Sequence, residues 1–365
     1  MTAYFPVSLR SIFFVKLFVL WVAGTLTASA ETAIYVSVAG ENKIVLFHQN
    51  AQTGALKRVE AIPVPSESGG LTVSRDRKYL YASLRPAGKL ASYAIASQQG
   101  HLKWLQTIDA AADPAFLSTD QTGKYLLTAY YVAGKVAVHP IRSDGTLDEE
   151  KSLWIDTADK AHAILADPQN QFVFVPHTGP NRIFQFHWNS DTGQLLASQP
   201  ASLFTGPNTG PRQLAYHPQL DIVYFDNDQG SSVSAYHLDR RHGTLKWMQT
   251  LSTIPDTWSE SNSCARMEIH PSGKFLYASN RGHDSIAGFA IKEDGSLTAL
   301  GQFPTEKTPR GFTIDPSGRF LYAAGEGSGK LASYRIDQQT GELIRMRNYH
   351  AGARAWWVLA VDLPR

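Results

Sequence analysis

The sequence predicts an all-β chain: a seven-bladed β-propeller with four antiparallel strands per blade, its ring closed by the C-terminal strand joining the N-terminal blade. Three observations predict it. An apolar-aromatic strand behind a tight turn recurs seven times, a polar turn carrying Gly-x-Leu recurs seven times, and the two ends of the chain complete each other.

The first marker reads AIYVSVAG at 33–40, DRKYLYAS at 76–83, GKYLLTAY at 123–130, NQFVFVPH at 170–177, LDIVYFDN at 220–227, GKFLYASN at 273–280 and GRFLYAAG at 318–325. The second places its glycines at Gly54, Gly100, Gly145, Gly193, Gly243, Gly295 and Gly341, each with leucine two residues on. Both keep a period of roughly 45–53 residues, in the range of propeller blades. Each period has room for an inner strand A, the marker strand B, an alternating strand C such as SIAGFAI at 285–291, and a strand D after the Gly-x-Leu turn. Period-2 alternation with Gly, Asp and Asn turns favours strands over helices throughout.

The first B strand, around Tyr35, has no full A strand before it, and ARAWWVLAVD at 353–362 reads as an A strand with nothing after it. Together they make one blade, which removes a free sheet edge. Residues 31–365 are therefore expected to form one domain.

Residues 1–30 read as a secretory leader. They contain no acidic residue, Arg10 and Lys16 precede an apolar stretch, and Ala28-Ser29-Ala30 has the small-x-small pattern of a cleavage site. The alternative, an uncleaved membrane anchor, has only a short apolar run because Lys16 interrupts it. Cleavage implies a periplasmic or secreted protein with no membrane association. Removal of Arg10 and Lys16 leaves 32 basic against 32 acidic residues. A neutral chain lacks the cationic excess of a nucleic-acid binder. A single cysteine, Cys264, excludes an intramolecular disulfide and a cysteine-based zinc site, and is expected to be a buried thiol.

In a blade, the start of A and the end of B lie on the same face of the ring. Equivalent positions at the start of A are Gly69, Ala115, His162, Arg212, Ala265 and Arg310; at the end of B they are Arg85, Tyr131, Thr178, Asp228, Arg281 and Glu326. One mouth should then carry Arg212, Arg281 and Arg310 with Asp228 and His162, and with Lys160 and Arg266 close by. The bland alternative is a polar rim paired in salt bridges. Three arginines on one side of a neutral protein favour an anionic ligand, a carboxylate or phosphate, held by charge-assisted bidentate bonds. No cofactor is expected, and the scattered histidines lack a metal-binding spacing. No Gly-x-Ser-x-Gly elbow is present. GEGSGK at 325–330 has a superficial likeness to a phosphate loop but falls in a B–C hairpin with no Ser or Thr after Lys330. His217 and His270, each before Pro at an A–B turn, read as structural, and Trp356 and Trp357 as packing between blades.

The segments HPSGKFLYASNRGHDSIAGFAI at 270–291, GPRQLAYHP at 210–218, LDIVYFDND at 220–228, PRGFTIDPSGRFLYAAG at 309–325 and AHAILADPQNQFVFVPHTG at 161–179 resemble the seven-bladed propeller lactonases of the 6-phosphogluconolactonase type, a family that also includes carboxy-muconate cyclases. The resemblance runs from about residue 33 to the C-terminus. It implies a metal-independent lactonase acting on a sugar-acid lactone, with catalytic residues at His162, Arg212, Asp228 and Arg281. Lys160, Arg266 and Arg310 are then candidates for substrate binding. His162 or Asp228 is expected as general base, with Arg212 and Arg281 stabilising the oxyanion. The chain departs from the family pattern at Lys160, Gln213, Asp228 and Arg266, where the family usually has His, His, Glu and Glu, and it has His177-Thr178-Gly179 in place of an acidic loop. The alternatives are a non-catalytic secreted propeller that binds an anionic ligand or a protein partner, and a muconate-type lactonizing enzyme. No protein partner is specified.

Overall fold

The computed structural model describes residues 1–4, 32–96 and 98–363. The leader expected over residues 1–30, with a mature start near Glu31, lies outside the described residues apart from the first four. Among the described residues, no helix is long and apolar enough to cross a membrane.

Seven antiparallel sheets of four strands each make up the ring. Blade 1 takes its B, C and D strands from Thr32–Val38, Lys43–Gln49 and Leu56–Pro63, and its A strand from Ala355–Asp362. The closing pair is antiparallel, from Thr32 opposite Asp362 to Val38 opposite Ala355. Blades 2 to 7 begin with the A strands Ser68–Val73, Pro114–Thr119, Leu165–Ala166, Pro211–Tyr216, Ser263–Ile269 and Pro309–Ile314. Their B strands are Tyr79–Leu84, Tyr125–Tyr130, Phe172–His177, Ile222–Asn227, Phe275–Arg281 and Phe320–Gly325.

Both sequence markers serve the joints between blades. Each Gly-x-Leu glycine has positive φ, from 62° at Gly243 to 82° at Gly145, a backbone region that side chains disfavour. The B-strand tyrosine of one blade then donates its hydroxyl to such a glycine carbonyl in the next. Tyr35 reaches Gly100 at 2.5 Å, Tyr224 reaches Gly295 at 2.7 Å, Tyr277 reaches Gly341 at 2.7 Å, and Tyr322 reaches Gly54 at 2.8 Å across the closing joint. These tyrosines are fully buried. A buried hydroxyl needs a partner, so each fixes the register of one blade against its neighbour.

His217 and His270 hold the A–B turns as expected. The Nδ1 of His217 accepts the backbone N–H groups of Gln219 and Leu220, which leaves Nε2 to donate to the Gly273 carbonyl of the next blade at 3.0 Å. His270 meets the Gly318 carbonyl at 2.7 Å in the same way. Burial pushes both imidazoles below their ordinary pKa, consistent with neutral, structural rings. GEGSGK is indeed the B–C hairpin of blade 7, between Phe320–Gly325 and Lys330–Ile336.

Candidate active site

The mouth of the ring is built by a repeated β-bulge. In each A–B pair the register slips by an extra A-strand residue at the same place. The slips fall between Pro211 and Gln213, Pro309 and Gly311, Pro114 and Phe116, Cys264 and Met267, Ser68 and Leu71, and at Trp356 in the closing blade. In blade 4 the Ala161–His177 bridge and the bond from His162 N–H to the Pro176 carbonyl at 3.0 Å mark the equivalent point. A bulged residue is unpaired in the ladder and its side chain is re-aimed. The bulge series therefore reads Gly69, Ala115, His162, Arg212, Ala265, Arg310, Trp356, one position per blade.

Three of these and four B-strand ends enclose a cavity of about 190 Å³ lined by Arg85, Tyr131, His162, Arg212, Asp228, Arg281 and Arg310. Four arginines share it with one carboxylate. Asp228 Oδ1 accepts from Arg281 Nη2 at 2.8 Å, and its Oδ2 lies 3.8 Å from Arg212 Nε. Arg281 also donates to the Cys264 carbonyl at 2.9 Å. Arg85 is held by Asp113 at 2.6 Å, and Arg310 stands 3.5 Å from Glu326. Arg212 Nε and Nη1, Arg281 Nε and Arg310 Nε are buried without a hydrogen-bond partner. Burial, followed by repulsion from neighbouring guanidinium groups, lowers Arg212 to about 10 and Arg310 to about 9. Both remain charged at neutral pH, at a cost in desolvation that an anion in the cavity would offset.

His162 is buried, with the ring of Tyr131 edge-on at 5.5 Å and its Nδ1 unpartnered. Burial first, then Arg212, Arg85 and Arg310, hold it well below the ordinary histidine pKa. The imidazole is neutral and faces a site rich in positive charge.

The structure brings His162, Arg212, Asp228, Arg281 and Arg310 together, and it corrects three positions. Lys160 is exposed and does not line the cavity: it occupies a left-handed turn (φ 59°) before the bulge, where its backbone N–H donates to the Tyr131 carbonyl at 2.9 Å. Arg266 follows the bulge residue Ala265 and turns into the central channel. There it lies 4.3 Å from the centre of the Trp357 ring, pairs with Glu268 at 2.6 Å and donates to Gln213 Oε1 at 3.2 Å. It lines a separate channel cavity of about 430 Å³. Trp356 does not simply pack between blades: it is the seventh bulge residue, with Arg310 over its ring at 3.9 Å. Arg85 and Tyr131 are cavity residues that sequence reasoning left out of the site, although the count along the B-strand ends had named both.

Behind the cavity, Asp226 is fully buried. Its Oδ1 accepts the Gln213 N–H at 2.5 Å, immediately after the Arg212 bulge, and its Oδ2 has no partner. Burial raises its pKa to about 6 despite the nearby Arg212. The native state thus binds this proton more tightly than the unfolded chain. The resulting stabilisation is complete below about pH 4 and is lost as pH rises through about 6. Asp226→Asn should therefore gain stability relative to the wild type between pH 4 and pH 7, by on the order of 2–3 kcal/mol. Urea unfolding at the two pH values checks this; a difference that does not change with pH would contradict it.

Cys264 is buried and free, as expected. Among the described residues no three His, Cys, Asp or Glu side chains are grouped so as to hold a metal ion.

A closed ring whose mouth gathers arginines around a buried histidine defines a propeller with a cationic cavity. Comparison with known proteins specifies which kind. Residues 21–360 match the family model for the seven-bladed β-propeller lactonases. The chain is 34% identical to the 6-phosphogluconolactonase of Pectobacterium carotovorum over 226 residues, covering 61% of this chain and 68% of that protein. Among solved structures, the periplasmic gluconolactonase of Pseudomonas aeruginosa shares the fold with a TM-score of 0.85 at 22% identity, over 92% of this chain and 100% of that one. A candidate 6-phosphogluconolactonase from Bacteroides fragilis aligns with a TM-score of 0.83 at 25% identity, over 92% and 99%. The chain belongs to the lactonase family of seven-bladed β-propellers, and its chemistry is that of a carboxylic-ester hydrolase acting on a cyclic ester.

Proposed function

We propose that the protein is an exported, metal-independent lactonase that opens a sugar-acid lactone of the 6-phosphogluconolactone or gluconolactone kind, with the reaction carried out in the mouth cavity. The observation that carries this reading is the convergence of Arg85, Arg212, Arg281 and Arg310 on a cavity with one carboxylate. With Asp113 on Arg85 and Glu326 beside Arg310 counted, the four guanidinium groups still outnumber their three carboxylates, which suits an anion that develops during reaction together with a carboxylate or phosphate already on the ligand. Export rests on the leader-like residues 1–30.

In this mechanism His162 takes a proton from water as the oxygen adds to the lactone carbonyl carbon. Arg212 and Arg281 stabilise the oxyanion. Its collapse breaks the bond to the ring oxygen, which receives the proton from His162 and leaves a hydroxy-carboxylic acid; the acid then releases its remaining proton to solvent as the carboxylate. Arg310 and Arg85 hold the anionic end of the substrate, and Asp228 keeps Arg281 aimed. Burial is the larger cause of the low basicity of His162; an anion bound among Arg212, Arg85 and Arg310 offsets their lesser share, so a charged substrate raises the basicity of His162 in the complex.

This gives a specific pH signature. The acid limb of kcat, which reports the complex, should lie at higher pH than that of kcat/KM, which reports the free protein. His162→Gln should lower kcat by about 10²–10⁴ and abolish the separation. pH-stat assays on gluconolactone and its 6-phosphate, with and without chelator, test the whole reading. No hydrolysis above the spontaneous rate rejects the activity, and loss on chelation rejects metal independence. A larger loss in Asp228→Asn than in His162→Gln would transfer the base role to Asp228, whose Oδ2 makes only the 3.8 Å approach to Arg212.

A further inference from the structure

We infer that the mouth contains a second subsite, next to the cationic one, that takes a neutral glycosyl extension of the lactone; the inference rests on the lactonase reading. The cationic cavity, at about 190 Å³, is small for a ligand site, since small-molecule pockets usually run to roughly 300–1,000 Å³. Beside it lies a cavity of about 300 Å³ bordered by Trp356, Arg85, Arg354, Glu67, Asp113 and Gly69. Arg85 lines both cavities. Arg310, a wall of the first, lies over the Trp356 ring, a wall of the second. Together the two spaces reach the size of an ordinary ligand pocket.

Their chemistry differs. In the second cavity each cation is matched: Arg85 pairs with Asp113 at 2.6 Å and Arg354 with Glu67 at 3.0 Å. A balanced pocket does not select an anion. It offers the part of the Trp356 indole left uncovered by the guanidinium groups of Arg310, Arg354 and Arg85, which lie 3.9, 5.4 and 5.8 Å from its ring centre, and carboxylate oxygens with lone pairs left for hydroxyl groups. Gly69, the bulge residue of blade 2, presents no side chain here. A Cβ at this position would come within 2.8 Å of Ser83 Oγ and 3.2 Å of the Arg85 side chain, so glycine leaves room for Arg85, the residue that lines both cavities. A ligand complementary to both spaces has an anionic or anion-forming head and an uncharged, hydroxyl-rich body. A disaccharide-derived aldonolactone has that form.

The test compares one-ring and two-ring probes on the mature protein. Calorimetry measures gluconate against cellobionate and maltobionate, and pH-stat assays measure the corresponding lactones. A two-ring acid should bind about tenfold or more tightly than gluconate, with a matching rise in kcat/KM for its lactone. Glu67→Ala and Trp356→Ala should each bring the two-ring to one-ring ratio toward one, and Trp356→Phe should retain part of it. Thermal unfolding reports the integrity of each variant, and Glu67, at the surface, serves if the tryptophan variant does not fold. Equal or weaker binding of both two-ring acids overturns the subsite, as does a preference unaffected by Glu67→Ala and by any folded Trp356 variant. Hydrolysis of the one-ring lactone without a two-ring preference leaves the lactonase reading standing and rejects the extension. A two-ring binding preference without hydrolysis of either lactone does the reverse.

Discussion

Replacing Arg212 with methionine is expected to reduce lactone turnover by on the order of a hundredfold or more, the loss typical when a donor to a developing oxyanion is removed. The same change should leave the thermal midpoint no lower than that of the wild type. Arg212 is a buried cation with two nitrogens unpartnered and with Arg281 and Arg310 nearby. Removing such a charge relieves desolvation and repulsion, while methionine retains most of the volume of the arginine stem. Asp228 keeps its bond to Arg281. Activity and stability should therefore move independently, which separates a reaction role from a structural one. Calorimetric melting beside pH-stat kinetics makes the comparison. A lower midpoint accompanied by a proportionate loss of activity would mark Arg212 as a structural residue, and unchanged turnover would remove it from the mechanism.

Ending the chain at Ala353 is expected to abolish the folded state. The missing A strand of blade 1 pairs along the whole of Thr32–Val38. It also buries Trp357, Val358, Val361 and Leu363. At about 1.5–3 kcal/mol for each large apolar side chain buried, their loss is comparable with the roughly 5–15 kcal/mol that holds a typical protein together. It also leaves Thr32–Val38 as an unpaired inner edge, open to association with other chains. Soluble yield and far-ultraviolet circular dichroism of the truncated chain provide the check. A soluble, cooperatively melting product would show that the ring does not depend on closure.

The architecture was legible because its two markers are consequences of blade packing. The tyrosine in the B strand and the glycine in the C–D turn meet across four joints, so their common period reports a physical contact. The site was legible in part. Counting along A identifies the bulge positions, and that is how Arg212 and Arg310 were found. Counting does not show that a bulge separates neighbours, so Ala265 faces the mouth while Arg266 turns into the channel. Trp356 escaped because its blade is divided between the two ends of the chain, and the series was read only through its six continuous members. Arg85 escaped because its aim depends on another blade: it stands beside Gly69 of its own blade, and Asp113, at the entry to blade 3, holds its guanidinium at 2.6 Å. That dependence is between residues adjacent in space and apart in sequence.

The closing blade has a further consequence. Thr32 begins its B strand and Asp362 ends its A strand, side by side, on the side of the ring away from the arginines. A segment joined directly to Thr32 or following directly on Asp362 would leave from the back of the ring. A bead or membrane holding the protein by its tail would leave the entrance to the reaction chamber facing the surrounding fluid.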